Sequence, residues 1–356
     1  MKLEFTNIVF FEKISSVLDA QQPFVAYRKP NSKVISAIHQ NNNDLIKLED
    51  YNSSGFIFAP FNKNETKILF PISKSEQFFT QITNNLEIVD SSLKLEDSCT
   101  IEEKEKYILK VNKAVDFIKN GFSEKVVLSR KETIAIGKST ITTVFKRMLN
   151  SYKNAFVYLW YHPKVGLWMG ATPEQLIAIK NNKLQTMSLA GTQKFSGTLD
   201  VIWEKKELEE QQFVTDFIVE NIKDKINKLE VTGPITSRAG SLIHLRSDIC
   251  GELKSKKSLE QLINALHPTP AICGIPKNAA TEFIMQNEEY DREFYSGFMG
   301  EINCNNASAI YVNLRCMKIE NHNATIYIGG GLTKDSQPVK EWEETVAKAA
   351  IMKSMW

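Results

Sequence analysis

The sequence predicts an α+β fold made of large antiparallel sheets flanked by helices. Three observations carry this expectation. The candidate elements run strands, helices, strands, helix, without the regular βαβ alternation of a doubly wound sheet. Four apolar segments between Ala155 and Leu189 are joined only by short turns, a spacing that suits an antiparallel meander. With 356 residues, 42% hydrophobic and 24% charged, the chain can bury a sizeable core, and it has none of the bias of disordered, fibrous or disulfide-stapled proteins.

Residues 1–100 look irregular. Short apolar pieces such as Phe24-Val-Ala-Tyr and Ser54-Gly-Phe-Ile-Phe-Ala alternate with Asn- and Lys-rich turns, Asn41-Asn-Asn-Asp among them. From Ser98 to Asn120 apolar residues recur at steps of three and four, predicting a helix closed by Gly121. Lys125-Val-Val-Leu-Ser-Arg follows as a strand, then a helix over 139–151. The four segments of the meander begin at Ala155, Val165, Gln175 and Lys183, with turns at His162-Pro, Thr172-Pro and Asn181-Asn. A long charged helix is expected over 201–229, shorter ones over 257–266 and after Pro276. Strands over Ala307–Ile319 and Thr325–Ile328 lead to Gly329-Gly-Gly, and a helix from Pro338 to Met355 closes the chain.

Lys plus Arg (44) against Asp plus Glu (42) gives a net charge of +2, no footprint for a nucleic acid or an anionic membrane. No stretch approaches the 18 or so apolar residues of a membrane span. The N-terminal apolar run stops at Glu12-Lys13 and lacks the pattern of a signal peptide. Cys99, Cys250, Cys273, Cys304 and Cys316 are odd in number and form no CxxC pair, which suits reduced thiols in a cytoplasmic protein.

Chemistry concentrates on a few charged groups. Glu341, Glu344 and Lys348 share one face of the closing helix, beside an apolar face of Trp342, Val346, Ala349 and Ala350. Alone this is a solvated helix edge. The glycines of Gly329-Gly-Gly-Leu-Thr, read as the link into that helix, allow backbone amides to converge on an anion. Their pattern is not GxGxxG, so a dinucleotide is disfavoured and a carboxylate is the candidate ligand. A second helix carries Glu204, Glu207 and Glu210 at three-residue steps. Carboxylates from two helices would suit Mg²⁺, which takes hard oxygen ligands. Arg315 interrupts a strand, sharing a face with Tyr311, Asn313 and Met317. Its guanidinium needs either a protein carboxylate or a substrate one. Lys125 and Glu174 open two strands; singly they are ordinary strand-end charges, and as a pair they could be base and acid. His267 is either packed in its turn or part of a site. His39 and His322 lie in polar segments and receive no role.

In order along the chain, Lys125-Val-Val-Leu-Ser-Arg, Ala171-Thr-Pro-Glu-Gln-Leu, Leu189-Ala-Gly-Thr and Leu266-His-Pro-Thr-Pro-Ala-Ile-Cys-Gly are followed by Tyr290-Asp-Arg-Glu-Phe-Tyr-Ser-Gly-Phe-Met-Gly, Leu314-Arg-Cys, Gly329-Gly-Gly and Glu341-Trp-Glu-Glu-Thr-Val-Ala-Lys. Together these strings resemble the chorismate-utilising enzyme family, and within it the isochorismate synthases. The resemblance covers about residues 101–356, the chorismate-binding catalytic region, with 1–100 a variable N-terminal part of the same fold. It implies a single unit like anthranilate synthase component I, with a Mg²⁺-dependent pocket. Glu210 and Glu344 would ligate Mg²⁺, with Glu341 a further, water-mediated contact. Arg315, Lys348 and amides around Gly329 and Gly331 would hold a substrate carboxylate, while Gly191, Thr192, His267 and Thr269 would line the pocket.

The resemblance also implies the reaction. Lys125 stands where aminating relatives typically have glutamine, and it would activate a water that attacks C2 of chorismate. Glu174, protonated, would donate to the departing C4 hydroxyl. Ala190 replaces the nucleophilic lysine of aminodeoxychorismate synthases. Salicylate synthase, which also eliminates pyruvate, is the nearest alternative, and a non-catalytic chorismate-binding homologue a remoter one. A monomer without a glutamine amidotransferase subunit is expected, serving menaquinone in preference to a catechol siderophore. Two departures from the pattern stand out: Gln211 in place of a histidine common in relatives, and the loop Leu332-Thr-Lys-Asp-Ser-Gln.

Overall fold

The computed structural model describes residues 2–88, 100–136, 140–239, 242–255 and 258–356. Cys99 and the first residues of three expected helices (Ser98, Ser139, Lys257) lie outside them. The N-terminal part contains β1 (Lys2–Glu4), α1 (Asn7–Asp19), β2 (Phe24–Arg28), β3 (Val34–Gln40), β4 (Gly55–Ala59), β5 (Ile68–Pro71) and β6 (Ser75–Gln81). Next come α2 (Ile101–Lys119), β7 (Lys125–Ala135), α3 (Ile141–Ser151), β8 (Phe156–His162), β9 (Gly166–Thr172), β10 (Gln175–Lys180), β11 (Lys183–Lys194) and α4 (Lys205–Ile222). The rest is β12 (Ile226–Ala239), β13 (Leu242–Leu253), α5 (Ser258–Leu266), β14 (Gly274–Ile275), α6 (Lys277–Asn287), β15 (Phe298–Cys304), β16 (Ala307–Val312), β17 (Cys316–Glu320), β18 (Asn323–Leu332) and α7 (Pro338–Lys353).

These strands make a ten-stranded sheet, β1-β6-β3-β2-β8-β9-β17-β18-β7-β14, and an eight-stranded sheet, β12-β13-β11-β10-β16-β15-β4-β5. Pairing is antiparallel except for β1 with β6. The two sheets face each other across an aromatic core that includes Phe58, Tyr158, Trp160, Trp168, Phe294 and Tyr327. Strand β8 shows how a period of two sorts side chains when both faces are covered. Phe156, Tyr158 and Trp160 enter that aromatic core, whereas Val157 and Leu159 pack outward with Phe10 of α1 and Val144 of α3. On the far side of the eight-stranded sheet, Val214 and Ile218 of α4 and Leu262 of α5 cover Ile177 and Ile249. The result is a helix–sheet–sheet–helix stack.

Local chemistry starts the helices. Thr100 caps α2 in a reciprocal box: its hydroxyl accepts from Glu103 N at 3.2 Å, and Glu103 accepts from Thr100 N at 2.9 Å. Pro338 begins α7, where its missing N–H costs nothing.

Five expectations need correction. Residues 2–88 contain regular elements, and β2 and β4 lie inside the two sheets, paired with β8 and β15. The expected meander is two hairpins, β8–β9 in one sheet and β10–β11 in the other. The expected strand 307–319 is likewise two strands in different sheets, broken at Asn313-Leu-Arg315. Helix 201–229 ends at Ile222, and the hairpin β12–β13 follows it. The glycines 329–331 lie within β18, opposite Ser129, Leu128 and Val127, not in a loop beyond it.

Both breaks occur at the same place. At Thr172–Gln175 and at Val312–Cys316 the chain passes from one sheet to the other, and the two passages run side by side. Ala171 N donates to Arg315 O at 3.1 Å, and Val312 N donates to Glu174 O at 3.0 Å. A two-stranded ribbon therefore continues through both sheets, with Glu174 and Arg315 in its bend.

Candidate active site

The bend presents Glu174. Its carboxyl borders a cavity of about 20 Å³ lined with Leu176, Leu189, Val214 and Leu266. Burial in this apolar seat pushes the acid up to about 7, against the opposing effects of the Thr269 hydroxyl, which donates to Oε1 at 3.5 Å, and of the Lys125 ammonium. A carboxyl so placed is substantially protonated near neutral pH. The structure thus brings Lys125, Glu174 and Thr269 together.

Lys125 is the first residue of β7 and comes from the other sheet. Its Nζ donates to Glu210 Oε1 at 3.1 Å. Its stem needs the room that glycine leaves: a Cβ at Gly331 would stand 3.0 Å from Lys125 Cε. At Gly329 a Cβ would stand 2.6 Å from the Tyr295 hydroxyl. Neither glycine has a positive φ. In the fold they supply clearance, from within a strand where the sequence suggested a loop.

Helix α4 is seated by the residue after Glu210. Gln211 is buried, and its amide reaches Ser188 and Thr215 at 3.0 Å and Ser247 at 2.7 Å, tying the helix to β11 and β13. Glu210 is consequently turned toward Lys125. The neighbouring acids serve the helix start, for Glu204 is the N-cap and Glu207 accepts from its backbone at 2.7 Å.

On the other side of the glycine strand, Lys348 donates to Gly329 O at 3.0 Å and pairs with Glu344 at 2.7 Å. Glu341 accepts from the Ser336 hydroxyl at 2.7 Å, so the loop after Gly331 fixes it. Two lysine–glutamate pairs, one joining β7 to α4 and one within α7, therefore meet the same strand two residues apart. Among the described residues no three His, Cys, Asp or Glu side chains are gathered into a metal cluster. Magnesium does not need three: one or two carboxylates with water and substrate oxygens are its usual set. Glu210 and Glu344 are partly exposed carboxylates that already attract cations, and their chemistry fits that ion.

Arg315 has a left-handed backbone, φ 46°, which is how the chain turns from one sheet to the other. Among the described residues no carboxylate lies within ion-pair distance of its guanidinium, and burial pulls its pKa down. A half-buried cation without a protein partner favours the second of the two possibilities read from the sequence, a carboxylate supplied from outside.

Two contributors were not singled out in the sequence. His244 on β13 lies 3.1 Å from both Gly191 O and the Thr192 hydroxyl, and its Nδ1–H donates to the carbonyl. Burial lowers its pKa, against the hydrogen bond to Gly191 O, and the charges of Arg315 and Lys348 lower it further, so both cations lie near enough to be felt at the imidazole. Tyr295 sits against Gly329. The signal for His244 lay in the alternation of Ile243-His-Leu-Arg-Ser-Asp, which identifies a strand. His267 is fixed by packing: Nε2 donates to Ser296 O at 2.9 Å, the ring meets Phe298 edge-on, and burial drives it down to about 4. It lies between Leu266 and Thr269, which both line the cavity beside Glu174. His39, expected in a loop, lies on β3 beside Gln22 and Glu76.

Residues 57–356 match the family described as chorismate binding enzymes. The chain belongs to this chorismate binding family. Isochorismate synthase MenF of Haemophilus influenzae is 27% identical over 264 residues, 69% of this chain and 59% of that protein. Isochorismate synthase EntC of Escherichia coli K12 is 29% identical over 240 residues, 64% and 61% of the two chains. The DhbC enzyme of Bacillus subtilis, also called an isochorismate synthase, is 30% identical over 272 residues, 71% and 68%. The matched stretch thus spans about three fifths of the length of the first two. Among solved structures, the menaquinone-specific isochorismate synthase MenF of Escherichia coli superposes with a TM-score of 0.80 at 19% identity, over 96% of this chain and 90% of that one. Anthranilate synthase component I of Streptococcus pneumoniae TIGR4 gives 0.69 at 18%, over 88% and 82%. The chorismate binding fold therefore extends through the N-terminal strands as well. No described helix is long and apolar enough to cross a membrane.

Proposed function

We propose that the protein is an isochorismate synthase, converting chorismate to isochorismate by adding water at C2 and losing the C4 hydroxyl. The observation that carries this reading is the pairing of Lys125 with an acid, Glu174, whose seat keeps it protonated near neutral pH. Lys125, in the neutral amine form that the step requires, takes a proton from the attacking water, the ring double bonds shift, and Glu174 donates its proton to the leaving hydroxyl, which departs as water. Proton gain at the lysine and loss at the acid balance, so no redox partner is needed. Arg315 and Lys348 hold one substrate carboxylate and orient the ring. Glu210 and Glu344, with Glu341 behind them, would hold Mg²⁺, which supplies charge neutralisation at the other carboxylate. Because water is the nucleophile, the proposal has the chain acting without an amidotransferase partner.

Incubation of the pure protein with chorismate and Mg²⁺, followed by separation of products, tests the reading. Isochorismate is the expected product. Chorismate returned unchanged, or aminated after addition of ammonia, refutes it, and salicylate with pyruvate would assign the protein to the salicylate synthases.

A further inference from the structure

Behind the glycine strand, on the face away from Lys125, two buried polar atoms have no hydrogen-bond partner: the Tyr107 hydroxyl and Arg130 Nη2. Tyr107 is 3% exposed and Arg130 8%. Both flank Trp342 of α7, the guanidinium 4.4 Å over the ring and the Tyr107 ring 5.8 Å away. The other guanidinium nitrogens are engaged, Nε with Thr345 and Nη1 with Glu132. A Cβ at Gly330 would lie 3.8 Å from the Tyr107 hydroxyl and 3.5 Å from Glu341 Oε2, so hydroxyl and carboxylate approach one spot that no side chain fills.

Buried donors are rarely left unpaired, and ordered water is the usual partner where room and two to four polar groups coincide. We propose that one water, seated at Gly330, accepts from Tyr107 and donates to Glu341, which makes Tyr107 a positioning residue for the carboxylate behind the magnesium ligands. The inference rests on the magnesium reading above. Groups behind a metal ligand commonly contribute 10–100-fold in affinity by fixing its orientation.

Isothermal titration of MgCl₂ into the full chain tests this without turnover. Tyr107→Phe should weaken Mg²⁺ binding about tenfold. Gly330→Ala should reproduce the loss, since its methyl meets only ordinary contacts yet occupies the water's place. In a Glu341→Gln background Tyr107→Phe should change nothing further. Wild-type Mg²⁺ affinity in Tyr107→Phe sinks this inference alone, and so does a loss that persists in the Glu341→Gln background. A wild-type chain that converts chorismate but takes up no Mg²⁺ sinks the magnesium reading and the inference together.

Discussion

Glu174 and Lys125 differ in how their surroundings treat charge, and that difference is measurable. As a proton donor Glu174 works only while protonated, so kcat/KM should fall as pH rises through about 7, where the acid ionises. Glu174→Gln should lower kcat by about 10²–10⁴-fold, the usual contribution of a placed acid. Its effect on stability has the opposite sign. The folded pKa is above the ordinary 4.5, so the stability tied to the bound proton is complete below about 4.5 and lost as pH rises through about 7. Glu174→Gln should therefore resist urea better than the wild type at pH 8 and no better at pH 4; equal midpoints at pH 8 would show that the seat is not dry. Lys125→Ala should abolish turnover while circular dichroism and Mg²⁺-dependent chorismate binding persist, and retained kcat would exclude it as the base.

Among the elements, α4 and α7 matter most, because each delivers carboxylates to the glycine strand. Gln211 seats α4 through hydroxyls of two strands. Its replacement by Ala should cost about 1–3 kcal/mol in urea unfolding, as hydroxyls are left unmatched, and should lower kcat as Glu210 drifts from Lys125. Helix positions were legible because caps and apolar steps are local. The end of α4 was not, since Lys223-Asp-Lys-Ile-Asn-Lys continues the charged pattern of the helix into a strand. Strand β12 lies at a sheet edge with polar residues outward and carries little apolar alternation, whereas β13 beside it alternates. Gly329-Gly-Gly imitated a loop because glycine weakens a strand signal, whereas here it clears space for Lys125 and Tyr295.

For the whole molecule, the α+β class and its large antiparallel sheets were readable from element order, while the assignment of strands to two sheets was not. Thr172–Gln175 reads as any short turn and Asn313–Arg315 as a break within one strand, and Arg315 takes its left-handed turn without a glycine to mark it. Site residues were named from ordered motifs, yet what joins them is tertiary. Arg292 is one such tie: fully buried, it pairs with Glu288 and donates to Ile272 O at 3.0 Å and Val127 O at 2.8 Å. Arg292→Ala should destabilise the protein by about 3–5 kcal/mol, because a carboxylate is left unpaired in the core, and a calorimetric melt would register the loss. The shared bend has a mechanical consequence. Glu174 and Arg315 ride on one ribbon laced into both ladders, so no shear between the sheets can part them without tearing hydrogen bonds on either side. Amide hydrogens around Ala171 and Val312 should accordingly exchange with deuterium among the slowest in the chain.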